Sequence, residues 1–167
     1  PEKNRIAFYS GDILIPKNTA PGKMYRWSVV ACDQYTSEPK YWQTVEDMVG
    51  DDPSTLKITV PEIYLKDAGI KERINKVHET MQGYLDSGLF QTIENSYIYV
   101  ERELADGKIR QGIMGLIDLE EYDFQAGSES LIRSTEGTVM ERIPPRVEVR
   151  NNAILELPHA MLLIDDS

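Results

Sequence analysis

A single cysteine, Cys32, is all the thiol the chain holds. This excludes an internal disulfide framework and a cysteine-built metal centre. No basic residue stands near Cys32 in sequence to favour its thiolate, so it is expected to be an unreactive packing residue at a strand end. Histidine is almost as scarce. His78 falls in a periodic helical segment and His159 follows a proline, neither with a metal-ligand partner at useful spacing, so structural or surface roles are expected for both. Positive charge is in deficit, with 18 Lys and Arg against 28 Asp and Glu and a net charge of −10. That balance opposes non-specific attraction to nucleic acid and to anionic lipid, so neither is expected as a partner. Long apolar runs are missing too, since none approaches the ~18 residues of a spanning helix. The opening Pro1-Glu2-Lys3-Asn4-Arg5 has no signal-peptide core, and a reducing, cytoplasmic setting is expected. Absent as well are a Walker phosphate loop, a Rossmann glycine fingerprint and a Gly-x-Ser-x-Gly elbow, which removes the enzyme classes built on them.

What is present suits one mixed domain. The 167 residues, 41% of them hydrophobic, are enough for a single domain over 1–167 that buries roughly 70% of its unfolded surface. Acidic residues are spread over Glu46-Asp47, Asp51-Asp52 and Asp118 to Asp123, the pattern of a solvated surface. Short apolar runs at Ile6-Ala7-Phe8 and Asp12 to Ile15 predict an early strand and then a loop, and Trp27 to Cys32 predicts a buried strand. Ser37-Glu38-Pro39 opens a predicted helix over Lys40 to Val49, stopped by Gly50, with Trp42 at its edge. Leu56 to Val60 alternates like a strand, and Asp67 is a candidate N-cap. Ile70, Ile74, Val77, Met81 and Leu85 then step by four, three, four and four, predicting a helix that ends near Gly88. Tyr97 to Glu101 and Ile109 to Leu119 flank Ala105-Asp106-Gly107 as an antiparallel hairpin, and Pro144-Pro145 opens a second helix to Ile154. The apolar run Ala160 to Ile164 reads as a core strand followed at once by Asp165-Asp166-Ser167. The chain is therefore expected to be the N-terminal part of a longer protein, with apolar surface near that run through which a homodimer forms.

Two polar strings emerge from apolar runs. The first is Cys32 to Ser37, where Asp33 either orients a hydroxyl or Mg²⁺, or serves as turn and helix-capping chemistry. The second is Leu131 to Thr138, with Arg142 and Arg146 downstream. Gly137 permits close backbone approach, Ser134, Thr135 and Thr138 carry hydroxyls, and Arg133 and Arg142 carry charge, which suits a phosphate or carboxylate. Turn and capping chemistry explains the same residues equally well.

The strings Val29 to Trp42, Gly50 to Leu56 and Leu131 to Arg146 resemble a bacterial branch of domain-of-unknown-function family 1015. That family is itself similar to free-serine kinases that use ADP as phosphoryl donor, on a fold like that of ParB and sulfiredoxin. The resemblance implies a mixed α/β fold in which a mixed sheet is flanked by helices. It implies a nucleotide-dependent small-molecule kinase using ADP or ATP with Mg²⁺. Asp33 or Glu136 would then be the catalytic base, and Arg133, Ser134, Thr135, Gly137, Thr138 and Arg142 would hold the nucleotide. The chain departs from the kinase-like pattern at two places. Ala31-Cys32-Asp33-Gln34 stands where that branch has Pro-Pro-Tyr-Asp, and Thr135 stands where it has histidine within Arg-x-His-Glu. A non-catalytic nucleotide- or anion-binding module of a larger protein is the alternative, and a structural domain whose polar loops cap helices is the third reading.

Overall fold

The computed structural model describes residues 8–17, 35–134, 137, 139–157 and 162. The class is mixed α/β, as expected, and the chain divides into two compact units. One comprises Pro1–Lys17 with Phe90–Thr138, and the other Asn18–Leu89 with Val139–Ser167. Among the described residues no helix is long and apolar enough to cross a membrane.

The first unit is built from strands that change partner half-way. β1 (Phe8–Tyr9) and β2 (Gly11–Pro16) are nearly continuous, as are β3 (Phe90–Ser96) with β4 (Ile98–Glu103) and β5 (Ile109–Met114) with β6 (Leu116–Ile117). All three couples are antiparallel: β2 with β3, β4 with β5, and β6 back with β1. Three two-stranded ribbons therefore meet at one junction, around the breaks at Ser10, Tyr97 and Gly115. Phe8 stacks on Tyr97 there with ring centroids 5.4 Å apart. Glycine is needed at Gly115, because a Cβ would lie 2.6 Å from Phe8 Cζ and 2.7 Å from the Tyr9 carbonyl oxygen. A bulge separates Gly11 from Ile13, and the Asp12 carboxylate accepts the Asn95 N–H at 3.1 Å beside it.

The expected hairpin forms as β4 and β5, closed by Gly107 at φ +80 and by the Asp106 carboxylate accepting the Lys108 N–H at 3.1 Å. Its second strand, predicted to run on to Leu119, stops at Met114 because the junction turns the chain at Gly115. β3 has no counterpart among the predicted strands, since Phe90–Ser96 is largely polar and exposed. A short parallel pair, β7 (Tyr122–Asp123) and β8 (Ile132–Arg133), completes the unit. None of its described residues is buried.

The second unit holds the core. Pro39 sits in the first turn of α1 (Pro39–Val49), where its missing N–H costs nothing, and Gly50 at φ +54 ends the helix. Trp42 is central rather than at the edge: it is buried with Val49 and Leu56, and its indole N–H donates to the Thr36 carbonyl at 2.9 Å. The predicted strand at Leu56 to Val60 is instead a 3₁₀ turn, Thr55–Ile58. The cause is local: buried Ser54 accepts the Leu56 N–H at its hydroxyl, 3.2 Å away, and the Lys57 N–H at its carbonyl, 3.1 Å away.

α2 (Ile70–Asp86) follows the predicted periodicity and buries Ile74, Val77 and Met81. Its N-cap is Gly69, with Asp67 contributing only a carbonyl to the Ile70 N–H at 3.1 Å. Ile58, Val77 and Met81 form a second apolar cluster, against which Leu155 and Leu157 pack. α3 (Ile143–Arg150) stops short of the predicted Ile154, because Asn152 at φ +66 turns the chain so that Ala153 and Leu155 reach that cluster. His78 donates from Nε2 to the Val149 carbonyl at 3.0 Å, tying α2 to α3. The predicted strand Trp27 to Cys32 and His159 lie outside the described residues, as does the run at Ala160 to Ile164 apart from the exposed Leu162.

Candidate functional site

β7 and β8 pair with Tyr122 opposite Ile132 and Asp123 opposite Arg133. A parallel pair brings two carboxyl ends to the same edge, where each strand hands over to a loop. Here β7 delivers Phe124 to Ser130, and β8 delivers the polar string that begins at Arg133.

The β7 loop is held by its own side chains. The Asp123 carboxylate accepts the Gln125 N–H at 3.0 Å, the Ser128 N–H donates to the Gln125 carbonyl at 3.2 Å, and Gly127 takes φ +82. The Gln125 N–H, foremost, with the Ser128 hydroxyl and the Phe124 N–H behind it, holds the Asp123 carboxyl below the usual carboxylate range. Asp123 is therefore a fixed negative charge and acceptor at neutral pH. On the facing strand Arg133 is exposed, and its guanidinium makes no ion pair or hydrogen bond among the described residues. Ser134 reaches back to the β7 loop, its hydroxyl donating to the Phe124 carbonyl at 3.4 Å. The structure thus sets Arg133 opposite Asp123 and ties Ser134 to the start of the β7 loop.

Gly137 is exposed just beyond. Thr135, Glu136, Thr138, Cys32 and Asp33 lie outside the described residues. Arg142 ends the 3₁₀ turn Met140–Arg142 in the second unit, and its side chain is likewise outside them. Arg146 is engaged elsewhere, 3.7 Å from the Glu62 carboxylate. Asp123 and Ser128 escape sequence reasoning because nothing local signals that β7 will pair with β8. The polar string Gln125 to Ser128 marks the loop but not its neighbour. Among the described residues no group of three or more His, Cys, Asp and Glu side chains is arranged to hold a metal ion.

A family model for proteins of unknown function, DUF1015, matches residues 15–167. The chain belongs to the DUF1015 family. The match takes in the strings at Val29 to Trp42, Gly50 to Leu56 and Leu131 to Arg146, and with them both strands of the parallel pair. No curated protein and no solved structure gives a significant match to this DUF1015 member.

Proposed function

We propose that this DUF1015 protein binds a nucleotide through its phosphates at the carboxyl end of β7 and β8, in the service of phosphoryl transfer to a small hydroxyl-bearing molecule. The observation that carries the reading is an exposed, unengaged arginine at the end of a parallel strand, followed by a hydroxyl and a glycine. Arg133 offers a planar fork that matches two phosphate oxygens, and Ser134 lies beside it. ADP or ATP would be the ligand, and Mg²⁺ bound with it would neutralise phosphate charge. A magnesium ion bound alongside phosphates needs only one or two protein carboxylates, and the ionised Asp123 is suited to that part. The phosphotransferase part of the reading rests on the resemblance to free-serine kinases, whose ParB-like fold would bring Asp33 or Glu136 to the reacting hydroxyl as base.

Calorimetry checks the binding step. ADP should bind more tightly than adenosine, and Arg133→Ala, shown to be folded, should weaken ADP by roughly tenfold to a hundredfold, the loss of one charge-assisted contact. No ADP affinity in the parent chain, or an unchanged affinity in the variant, would falsify the site.

The alternative, a non-catalytic nucleotide- or anion-binding module, draws support from Asp123 itself. A carboxyl held below its usual range is a poor proton acceptor, so Asp123 is suited to binding and not to general-base work. Phosphorus NMR of nucleotide incubated with the protein, Mg²⁺ and free serine separates the two readings. Turnover supports the phosphotransferase, and intact nucleotide at saturating occupancy supports the module.

A further inference from the structure

The second unit contains a cleft of about 290 Å³ between the end of α1, the Thr55–Ile58 turn and α2. Its floor is apolar and buried, formed by Val49, Leu56, Pro61 and Val77. Its rim is cationic: Lys57, Arg73 and Lys76 stand against a single carboxylate, Glu46, leaving a surplus of two positive charges. In a chain of net charge −10 such a concentration is unusual.

None of the three cations is firmly committed. Lys57 is half-buried and makes no ion pair among the described residues. The Arg73 guanidinium carbon lies over the Tyr64 ring, 3.8 Å from the centroid. That cation–π contact holds the guanidinium without engaging its N–H donors in a hydrogen bond. Lys76 has only an exposed contact with Glu79 at 3.6 Å, of the kind that contributes little. Glu46 is already an acceptor, 3.3 Å from the Tyr64 hydroxyl. The Thr59 and Thr80 hydroxyls donate to the Thr55 and Lys76 carbonyls, at 2.9 and 2.7 Å, so recognition falls to the cations.

We propose that this cleft is a binding site for a small organic phosphate monoester, whose dianionic head meets Lys57, Arg73 and Lys76 while its apolar body covers Val49, Leu56 and Val77. A phosphate monoester carries about −1.5 to −2 charge at neutral pH, close to the surplus on the rim. The floor explains why an organic ester is preferred to the bare ion: inorganic phosphate would leave the apolar surface wet. No residue of the β7 and β8 edge takes part.

Phenyl phosphate is the probe, titrated by calorimetry into the full chain with inorganic phosphate and phenol as comparisons. It should bind at least about tenfold more tightly than either, since each comparison lacks one half of the recognition. Lys57→Met keeps the aliphatic stem and removes the charge, and Lys76→Ala alters only an exposed helix surface. Each should weaken phenyl phosphate by about tenfold, the scale of one charge-assisted contact. Lys71→Ala, on the same helix but outside the cleft, should leave it unchanged, as should Arg133→Ala. Binding no tighter than that of phenol or of inorganic phosphate overturns the proposal. So does binding that survives both lysine substitutions, or that is lost in Arg133→Ala.

Discussion

Tyr84 reaches from α2 to the fully buried Ser54, accepting the Ser54 N–H at 3.0 Å and donating to its carbonyl at 3.5 Å. Burial, only partly offset by the Ser54 N–H, pushes the Tyr84 phenol above the usual tyrosine range. The folded protein therefore keeps this proton to higher pH than the unfolded chain does. The stability that results is intact below the unfolded phenol value, near about 10, and is lost as pH rises through the raised folded value. Tyr84→Phe should cost about 1 kcal/mol at neutral pH through the lost hydrogen bonds. It should also flatten the alkaline loss of stability, as followed by urea midpoints between pH 8 and 11. Parallel pH profiles for parent and variant would remove this role from Tyr84. At the same scale, Arg133 shows what local sequence can reveal: a charged residue leaving an apolar run marks a strand end. Asp123 shows the limit, since its place opposite Arg133 depends on strand pairing that no neighbouring residue encodes.

Two glycines respond to an added methyl group with opposite sign because their elements differ. Gly83 lies inside α2 with nothing within 4 Å of an added Cβ, so Gly83→Ala should stabilise the protein by about 0.5–1 kcal/mol through restriction of the unfolded chain. Gly115 lies where the three ribbons meet, and Gly115→Ala should destabilise by about 1–3 kcal/mol, with the Phe8 ring and the Tyr9 carbonyl forced to move. Thermal denaturation of both variants checks the pair, and a neutral Gly115→Ala would show that the junction yields freely. The same contrast explains which elements sequence could foretell. α2 is readable from Ile74, Val77 and Met81 alone, and the β4 and β5 turn from Asp106-Gly107, because short-range spacing decides both. The 3₁₀ turn after Ser54 looks like a strand because Leu56 and Ile58 alternate, while the deciding hydrogen bond comes from a serine side chain. Trp42 looks peripheral because the helical stripe omits it, yet its indole N–H and Val49 draw it inward.

Burial is distributed unequally across the molecule. Every buried residue described belongs to the second unit, most of them in clusters around Trp42 and around Val77 and Met81. Stability against local opening follows buried contact, so amide exchange should be slowest in α2 around Ile74 to Met81. The β4 and β5 hairpin, with Tyr99 and Ile113 paired across it and both exposed, should exchange faster by at least about tenfold. Hydrogen exchange read by NMR tests this, and equal protection in hairpin and helix would mean that the ribbons are covered by something in solution.

The partner changes along the ribbons also fix an order of assembly. β2 ends at Pro16 opposite Phe90, so it cannot meet this partner until the whole of the intervening segment has been synthesised. β1 waits longer, for Leu116 and Ile117. α1 and α2 form from contacts close in sequence and have no such delay. During translation β1 and β2 thus wait for the edges that β3 and β6 will cover, and an edge still waiting can capture a neighbouring chain or a chaperone. Compaction of the intervening residues shortens the effective loop that Pro16 and Phe90 must close, so a substitution that slows α2 would also delay the pairing of β2 with β3.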